Sequence, residues 1–346
     1  MNFTSDNAYG ASPEILAALT AANRGAAASY GTDAVTAELR ARMAELFEHE
    51  VAVYPVTTGT AANSLALATL CPPHGAILCH ALSHIVVDEC GAPEFFTHGA
   101  RLVPIEGRNA KLEPEGIENA LTRFPVGNVH SQQPKVISLT QATEAGTCYS
   151  LDEITAIARV ARKHNLKLHM DGARFANALD FLGCSPADAT WRAGVDVLSF
   201  GATKNGALAA EAVVFFNAED VRDFEYRRKA AGHLLSKMRF VSAQLVSYLE
   251  GGRWLATAKR ANALAQALAK GLSQIGGAEL AYPVEANAVF VTMQDETVAR
   301  LRAAGARFLD WAPPSGGHTL IRLVCSFATP ESDVAKFLET ANEKSG

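Results

Sequence analysis

The chain has 346 residues and lacks the features that mark a membrane or secreted protein. Its longest apolar runs fall well short of the roughly 18 residues that a membrane-spanning helix needs. The polar start MNFTSDNAYG has no signal-peptide pattern. Six cysteines are spread without a CxxC pair, which favours reduced thiols over a disulfide framework. These absences predict a cytoplasmic protein that binds no membrane and no metal.

Basic stretches and nucleotide-binding motifs are also scarce. The formal net charge is −5, and the one compact cluster of cations is the RRK at 227–229, so nucleic-acid binding has little support. No G-x-G-x-x-G follows the first predicted strand, which argues against a Rossmann dehydrogenase. No G-x-x-x-x-G-K signature is present either, which argues against a nucleotide P-loop.

The patterns that are present indicate an α/β protein. Hydrophobic residues make up 49% of the chain, and the length exceeds the ~100–200 residues of one typical domain. Predicted helices and strands alternate from about 50 to 215, as in a mainly parallel sheet with helices on both faces. After a long Ala/Leu helix the strands AVFVTM and HTLIRLVCSF predict a smaller α/β unit. We therefore predict a large domain over 1–250 and a small C-terminal domain over 251–346.

Two apolar runs in the predicted large domain each end at an ionisable residue. Residues 166–170 stop at Asp171, and residues 195–200 pass through Gly201 and stop at Lys204. Open α/β sheets bind ligands at the carboxyl ends of their strands. An acid and a lysine there fit pyridoxal phosphate. The acid pairs with the nitrogen of its ring, and the lysine forms a Schiff base with its aldehyde. The alternatives are a helix cap for Asp171 and a solvated Lys204.

Other strand ends offer an anion site and a histidine. The segment TTGTAANSL predicts a strand, a turn and a helix, with Gly59 and Thr60 at the helix N-terminus, where backbone N–H groups attract anions. An ordinary turn is the alternative. His84 follows the next strand on a predicted helix that also carries Glu89, and its alternative is a core or capping histidine. Thr143 lies at a third strand end.

Three further features are a polar N-terminal arm, an arginine inside an apolar strand and a group of cations. The polar arm at residues 4–7 is either a frayed terminus or a flap over a pocket. Arg322 lies inside the apolar strand LIRLVCSF, where a charge is costly unless it is paired or faces an anion, so we expect it to bind a carboxylate. The cations Arg228, Lys229 and Arg239 lie on a broken helical stretch that is either a solvated face or a source of phosphate ligands, possibly for a partner subunit.

Taken together, these segments resemble the threonine aldolase family, which has the aspartate-aminotransferase-like fold of pyridoxal-phosphate enzymes. The resemblance covers nearly the whole chain, and HMDGARxxNA followed by TKN is its most specific part. The subgroup most similar in these motifs is that of the bacterial low-specificity L-threonine aldolases and phenylserine aldolases. The matching segments are TSDN, TGTAANSLAL, SHIVVDECGAPEFF, SLTQATEAGT, HMDGARFANA, GATKN, SKMRF and the strand of Arg322.

The resemblance implies a role for each matching residue. Lys204 corresponds to the Schiff-base lysine, Asp171 to the partner of the ring nitrogen, and His84 to the histidine stacked on the ring, which is also the candidate base. The other implied roles are a phosphate cup at Gly59 and Thr60, a substrate-carboxylate site at Ser5, Arg174 and Arg322, and phosphate cations Arg239 and Lys229 lent by a neighbouring subunit. The expected assembly is a homodimer or homotetramer with its active sites at the subunit interface.

One position departs from the family pattern. The commoner members carry a second active-site histidine where this chain has Thr143, in the segment TQAT. This change is expected to affect which β-substituent the substrate carries, and Thr143 is a candidate substrate contact.

The reaction that the resemblance implies is cleavage of a β-hydroxy-α-amino acid, such as L-threonine, L-allo-threonine or phenylserine, to glycine and an aldehyde. An aminotransferase or a β-eliminating lyase of the same fold is the nearest alternative. A ligand-binding protein without catalysis is a more distant one, because a scaffold need not keep Lys204, Asp171, His84 and Arg322 together.

Overall fold

A computed structural model describes residues 1–221 and 223–343. Residues 344–346, the end of the predicted C-terminal domain and of its last helix, lie outside the described residues. The strands are β1 (Ala52–Val56), β2 (Gly75–His80), β3 (Arg101–Ile105), β4 (Gln133–Thr140), β5 (Lys167–Gly172), β6 (Val197–Gly201), β7 (Glu211–Phe215), β8 (Glu279–Leu280), β9 (Ala288–Gln294), β10 (Leu309–Asp310) and β11 (His318–Val324). The helices are α1 (Pro13–Ala22), α2 (Ala34–Phe47), α3 (Gly59–Leu70), α4 (His84–Val87), α5 (Ala92–Phe96), α6 (Pro114–Leu121), α7 (Leu151–Lys163), α8 (Phe175–Leu182), α9 (Phe224–Ala230), α10 (Arg239–Leu249), α11 (Arg253–Leu272), α12 (Asp295–Ala303) and α13 (Glu331–Asn342).

The larger sheet has the order β1-β7-β6-β5-β4-β2-β3 in the described chain. Strands β2 to β6 run parallel, as the alternation of helices and strands predicted, and the α/β fold is confirmed. Strand β7 is antiparallel to both of its neighbours. The connection from Gly201 to Glu211 is too short for a parallel crossover, which needs a dozen or more residues. The short return therefore places Glu211 directly opposite Gly201.

The smaller sheet is antiparallel, in the order β10-β11-β9-β8. It shares a hydrophobic core with side chains of α11, α12 and α13. Phe3 is fully buried in that core, and Asn2 forms a bridge with Arg307. The first three residues thus pack with the C-terminal sheet, although the predicted domains placed them with the large one. The predicted boundary at 250–251 stays a prediction.

Local capping signals explain where several helices begin. Asp33 caps α2 by accepting from Thr36 N at 2.9 Å, and Ser150 begins α7 with a reciprocal capping box. The prediction that one helix carries both His84 and Glu89 was wrong, because α4 ends at Val87 and Glu89 follows it in a turn. This bend lets both side chains turn towards the interior.

The described residues contain no helix with the length and apolarity needed to cross a bilayer. Nor do they contain a group of three or more His, Cys, Asp or Glu side chains placed to hold a metal ion. All six cysteines are free thiols.

Candidate active site

A cavity of about 450 Å³ lies at the carboxyl ends of the parallel strands, between the sheet and the N-terminal arm. The arm folds over this cavity, since Asn7, Tyr9 and Gly10 form part of its wall. The arm is therefore a flap, one of the two alternatives left open by the sequence. Most of the predicted site residues line the cavity together: Ser5, Gly59, Thr60, His84, Asp171, Arg174, Lys204 and Arg322.

Two close backbone contacts hold Asp171 and Lys204 at adjacent strand ends. A Cβ atom on Gly172 would lie 2.8 Å from the carbonyl oxygen of Ser199, and one on Gly201 would lie 2.6 Å from that of Ala173. Real Cβ atoms do not approach this closely, so both positions require glycine. The glycines in MDG and SFG thus let β5 and β6 end side by side at the cavity.

Asp171 is 4% exposed, and both of its oxygens accept hydrogen bonds. Oδ2 accepts from Asn63 Nδ2 at 2.8 Å, and Oδ1 accepts from the N–H of Ala173 at 3.0 Å. The helix-cap alternative is wrong, because α8 begins at Phe175 with Arg174 as its N-cap residue. No ion pair of Asp171 occurs among the described residues, so this carboxylate is open to a cationic ring nitrogen.

Lys204 lies on the turn Thr203–Asn205 that follows β6. Glu211 reaches the same region, since its Oε2 accepts from the N–H of Ala202 at 3.1 Å. Glu211 is 6% exposed, and burial raises its pKa to about 7. Sequence reasoning missed Glu211, although an acid that opens the apolar strand EAVVF was an available signal.

The N-terminus of α3 forms a cup for an anion. The N–H groups of Gly59 and Thr60 have no acceptor within the helix, because the first turn of any helix lacks them. Thr58 caps the helix by accepting from Ala61 N at 3.2 Å. The preceding residue, Thr57, donates its N–H to His233 Nδ1 at 3.4 Å, a contact that the sequence did not reveal.

His84 belongs to a buried polar network. Its Nδ1 lies 2.8 Å from Glu89 Oε1, and the same oxygen accepts from Asn63 Nδ2 at 2.9 Å. Asn63 Nδ2 also donates to Asp171, so one amide joins the two carboxylates. Burial raises the pKa of Glu89 above its ordinary value. The hydrogen bond from His84 lowers that pKa, but burial outweighs it. The Glu89 carboxylate raises the pKa of His84.

The two arginines of the cavity have different partners. Arg174 makes a two-pronged ion pair with Asp6, from Nε at 2.9 Å and from Nη2 at 3.0 Å. Burial raises the pKa of Asp6, but the charges of Arg174 and Lys204 outweigh it and hold that pKa below its ordinary value. Asp6 occupies Nε and Nη2 of Arg174, and the predicted contact of Arg174 with a substrate carboxylate stays a prediction. Asp6 lies in the TSDN motif, but only the fold shows its partner.

Arg322 is the less committed arginine. It donates from Nη2 to the carbonyl oxygen of Thr4 at 3.3 Å, and its guanidinium lies 5.4 Å from the Trp311 ring centroid. Its Nε is buried without a hydrogen-bond partner in the described structure. Burial lowers the pKa of Arg322. A buried cation with an unused donor at a cavity is what an anionic ligand group would complete.

Three predicted site residues do not line this cavity. Thr143 is buried, with its hydroxyl 2.7 Å from that of Thr147 and 3.5 Å from the carbonyl oxygen of Asn109. Lys229 lies over the Tyr30 ring and Arg239 over the Phe240 ring. The lining residues of the cavity include neither Thr143 nor these two cations, and the roles predicted for all three stay predictions.

The residues present fit pyridoxal phosphate. The buried Asp171 carboxylate would hold the ring nitrogen, Lys204 would hold the aldehyde carbon, and the N–H groups of Gly59 and Thr60 would hold the phosphate. His84 lines the same cavity, and its ring would stack on a flat heterocycle bound there.

Known proteins with a similar sequence or fold lead to the same chemistry. A family model described as beta-eliminating lyase matches residues 2–296. A low specificity L-threonine aldolase of a Pseudomonas species is 46% identical, over 96% of this chain and 94% of its own length. Its counterpart from Pseudomonas aeruginosa is 45% identical, over 99% and 96%. The solved threonine aldolase of Leishmania major superposes with a TM-score of 0.93, at 28% identity and with 98% of both chains covered.

More distant structures show the fold alone. A Sphingomonas wittichii serine palmitoyltransferase and a Rhodobacter sphaeroides aspartate aminotransferase each superpose with a TM-score of 0.72 at 18% identity. Both alignments cover 99% of this chain. They cover 86% of the serine palmitoyltransferase chain and 92% of the aminotransferase chain. Fold and cavity together thus define a pyridoxal-phosphate-dependent enzyme of the aspartate-aminotransferase-like fold. More narrowly, the chain belongs to the beta-eliminating lyase family, with the threonine aldolases among its relatives.

Proposed function

We propose that this enzyme is an aldehyde-lyase that cleaves L-threonine, L-allo-threonine or a related β-hydroxy-α-amino acid such as phenylserine to glycine and an aldehyde. The observation that carries the proposal is that Lys204, Asp171, His84 and Arg322 all line one cavity. The names of the relatives that align over nearly the whole chain support the same reaction. When bound, pyridoxal phosphate supplies an electron sink for the bond that breaks at Cα.

Arg322 is the proposed main anchor of the substrate carboxylate. Its buried Nε has no hydrogen-bond partner in the described structure, whereas Asp6 occupies Nε and Nη2 of Arg174. Arg174 then contributes its remaining Nη1 group and its charge, and Ser5 adds a hydroxyl at the same wall. Anchoring the carboxylate fixes which Cα bond stands in the orientation for cleavage.

His84 is the proposed base for the β-hydroxyl proton. It is the histidine on the cavity wall among the described residues, and a quarter of its side chain is exposed there. Removal of this proton lets the hydroxyl-bearing carbon leave as an aldehyde while the Cα–Cβ bond breaks. A positioned base contributes about 10²–10⁴-fold to such a step.

The test compares products formed from L-threonine and L-allo-threonine by the purified holoenzyme. Cleavage yields glycine and acetaldehyde in equal amounts, whereas β-elimination yields a keto acid and ammonia, and transamination requires an added keto acid. Lys204→Ala should lose both turnover and the visible absorption band of the covalently held cofactor. A keto acid as the main product would overturn the proposal in favour of the other activities of this fold.

We also propose a homodimer or homotetramer in which a neighbouring subunit completes the phosphate site. The cations on the cavity wall in the described residues are Arg174, Lys204 and Arg322, and each has another proposed role. On the α9–α10 segment the buried Nε atoms of Arg227, Arg228 and Arg239 have no hydrogen-bond partner within the described chain. Arg239 and Lys229 are therefore offered as the partner's phosphate ligands.

Subunit complementation tests this interface. Arg239→Ala and Lys204→Ala should each be inactive alone, because each removes a different half of the shared site. Mixed subunits should regain activity, since some sites then combine an intact lysine with an intact partner arginine. Wild-type activity in Arg239→Ala, or no recovery in verified mixed oligomers, would remove Arg239 from the site.

A cytoplasmic location remains part of the proposal and is supported by the six free thiols.

A further inference from the structure

Three side chains of the cavity wall, those of Asp171, Asn63 and Glu89, form a series of hydrogen bonds that ends at His84. Asp171 Oδ2 accepts from Asn63 Nδ2 at 2.8 Å, Asn63 Nδ2 donates to Glu89 Oε1 at 2.9 Å, and Glu89 Oε1 lies 2.8 Å from His84 Nδ1. Asn63 is 2% exposed and Glu89 is 5% exposed. The series therefore lies out of water, where each hydrogen bond has a defined direction.

The direction of each bond follows from the donors available. An asparagine amide nitrogen carries two hydrogens, and here both are used, one for each carboxylate. Glu89 Oε1 and Asp171 Oδ2 must then both be acceptors. The ionised carboxylate is the form of Glu89 that accepts at Oε1 from both Asn63 and His84. A proton on Oε2 would have no acceptor in the described structure, because that atom is buried and unpartnered.

These constraints assign the proton on the imidazole. Because a carboxylate is a weaker base than an imidazole, the hydrogen between Glu89 Oε1 and His84 belongs to Nδ1. The lone pair of neutral His84 is then on Nε2. The nearest ion-pair partner of Nε2 among the described residues is Asp88, at 3.5 Å, with a side chain that is 80% exposed.

We propose that Glu89 and Asn63 are positioning residues that hold neutral His84 with its proton on Nδ1 and so make Nε2 the atom that receives the substrate proton. Glu89 sets the tautomer and Asn63 ties Glu89 to Asp171. The link makes the orientation of His84 depend on the same carboxylate that holds the cofactor ring. The last step rests on the proposed function, because only there is His84 the base.

The charges around His84 act in a known direction. The hydrogen bond that His84 donates to Glu89 raises the pKa of His84 most, burial lowers it, Asp171 and Glu144 raise it, and Lys204 lowers it. Asp88 adds a further negative charge at 3.5 Å. Loss of the Glu89 charge therefore lowers the pKa of His84, and the acidic limb of the pH–rate profile should move to lower pH.

The test uses ¹⁵N-detected NMR of histidine rings in the protein stripped of cofactor, so that its first readout does not need catalysis. Wild-type His84, assigned by loss of its signal in His84→Asn, should carry its proton on Nδ1 when neutral. Glu89→Gln keeps the shape but removes the charge and adds a second donor, so the Nδ1–H tautomer should lose population and the pKa of His84 should fall. Glu89→Asp keeps the charge and should restore part of both.

The chain offers a matched control. His164 Nε2 lies 2.8 Å from Glu118 Oε2, the same distance as in the His84 pair, but on the outer surface between α6 and α7. Glu118→Gln should change the NMR signals of His164 and leave those of His84 and the turnover unchanged. In the holoenzyme, Glu89→Gln should lower kcat for L-threonine about 10- to 100-fold with KM nearly unchanged, because it acts through His84 and not on the carboxylate site.

The outcomes separate the inference from the proposed function. Wild-type His84 with its neutral proton on Nε2, or Glu89→Gln without effect on tautomer and pKa, would overturn the positioning role. The expected NMR change with unaltered kcat would overturn Nε2 as the proton acceptor. A wild-type enzyme that does not cleave threonine would refute the proposed reaction, and the cofactor-free NMR measurement would still decide the positioning role.

Discussion

Two histidine–glutamate pairs with the same 2.8 Å separation occupy opposite environments in this protein. In the cavity, the Glu89 side chain is fully buried, and burial raises its pKa. On the surface, the Glu118 side chain is 33% exposed, and hydrogen bonds from Lys163 and then His164 lower its pKa. Water and salt screen the surface pair, whereas the buried pair is shielded and continues to Asp171. Two contacts of equal length therefore differ in their effect on the carboxyl pKa, because one pair is buried and the other is exposed.

The largest expected difference between the pairs is in turnover. His84→Asn should reduce kcat for L-threonine by about 10²–10⁴-fold, the contribution of a positioned base, while the cofactor stays bound. His164→Asn is the matched change in the surface pair and should leave kcat unchanged. Steady-state kinetics together with the absorption spectrum of each variant make the measurement. Equal kcat values for the two variants would remove His84 from the reaction.

A smaller effect should come from a buried glutamate that has no histidine partner. Burial raises the pKa of Glu211 to about 7 from its ordinary value of 4.5. A raised acid pKa adds stability at low pH that is lost as the pH rises through about 7, because the native state holds the proton longer. One pKa unit is worth about 1.4 kcal/mol, so the loss amounts to roughly 3 kcal/mol.

Urea unfolding of the cofactor-free protein at pH 5 and pH 8 measures this loss. The wild type should lose about 2.5 kcal/mol more than Glu211→Gln between these two pH values, because glutamine carries no titrating proton and part of the full loss precedes pH 5. The same loss in both proteins would show that the ordinary environment of a glutamate, and not burial, governs Glu211. That result would weaken the contrast drawn between the two pairs.

The smallest effect is expected from the surface pair itself. Glu118→Gln removes the contacts to Lys163 and His164, which lie at 2.7 and 2.8 Å. Exposed ion pairs contribute little and are screened, so the midpoint of thermal unfolding should shift slightly at low salt and not at all in 1 M salt. A large shift that persists in salt would place this pair in the same class as the buried one.

The sequence predicted the parts of the site that follow from local patterns. Asp171, Lys204 and Gly59 could be placed because each ends or begins an element whose apolar run is visible, and parallel strand ends share one edge of a sheet. Arg322 could be singled out because a lone charge in an apolar strand needs a partner. Such features depend on a few neighbouring residues.

The parts that could not be predicted depend on contacts between distant segments. Asp6 pairs with Arg174 across 168 positions, and Asn63 meets Asp171 across 108, so no local pattern joins either pair. Thr143 is a different case, and its role as a substrate contact stays a prediction. Its place in a family motif put it in the site, but in the fold its hydroxyl bonds to Thr147 within the same turn.

The nine-residue return between β6 and β7 has a practical meaning for engineering. Surface connections usually accept extra residues, but this one carries Lys204 between two neighbouring strands that fix both of its ends. A single inserted residue adds up to about 3.3 Å of chain, several times the ~0.5 Å tolerance of a reactive geometry. Libraries that seek new aldehyde acceptors should therefore keep this length constant and vary the wall around the histidine instead.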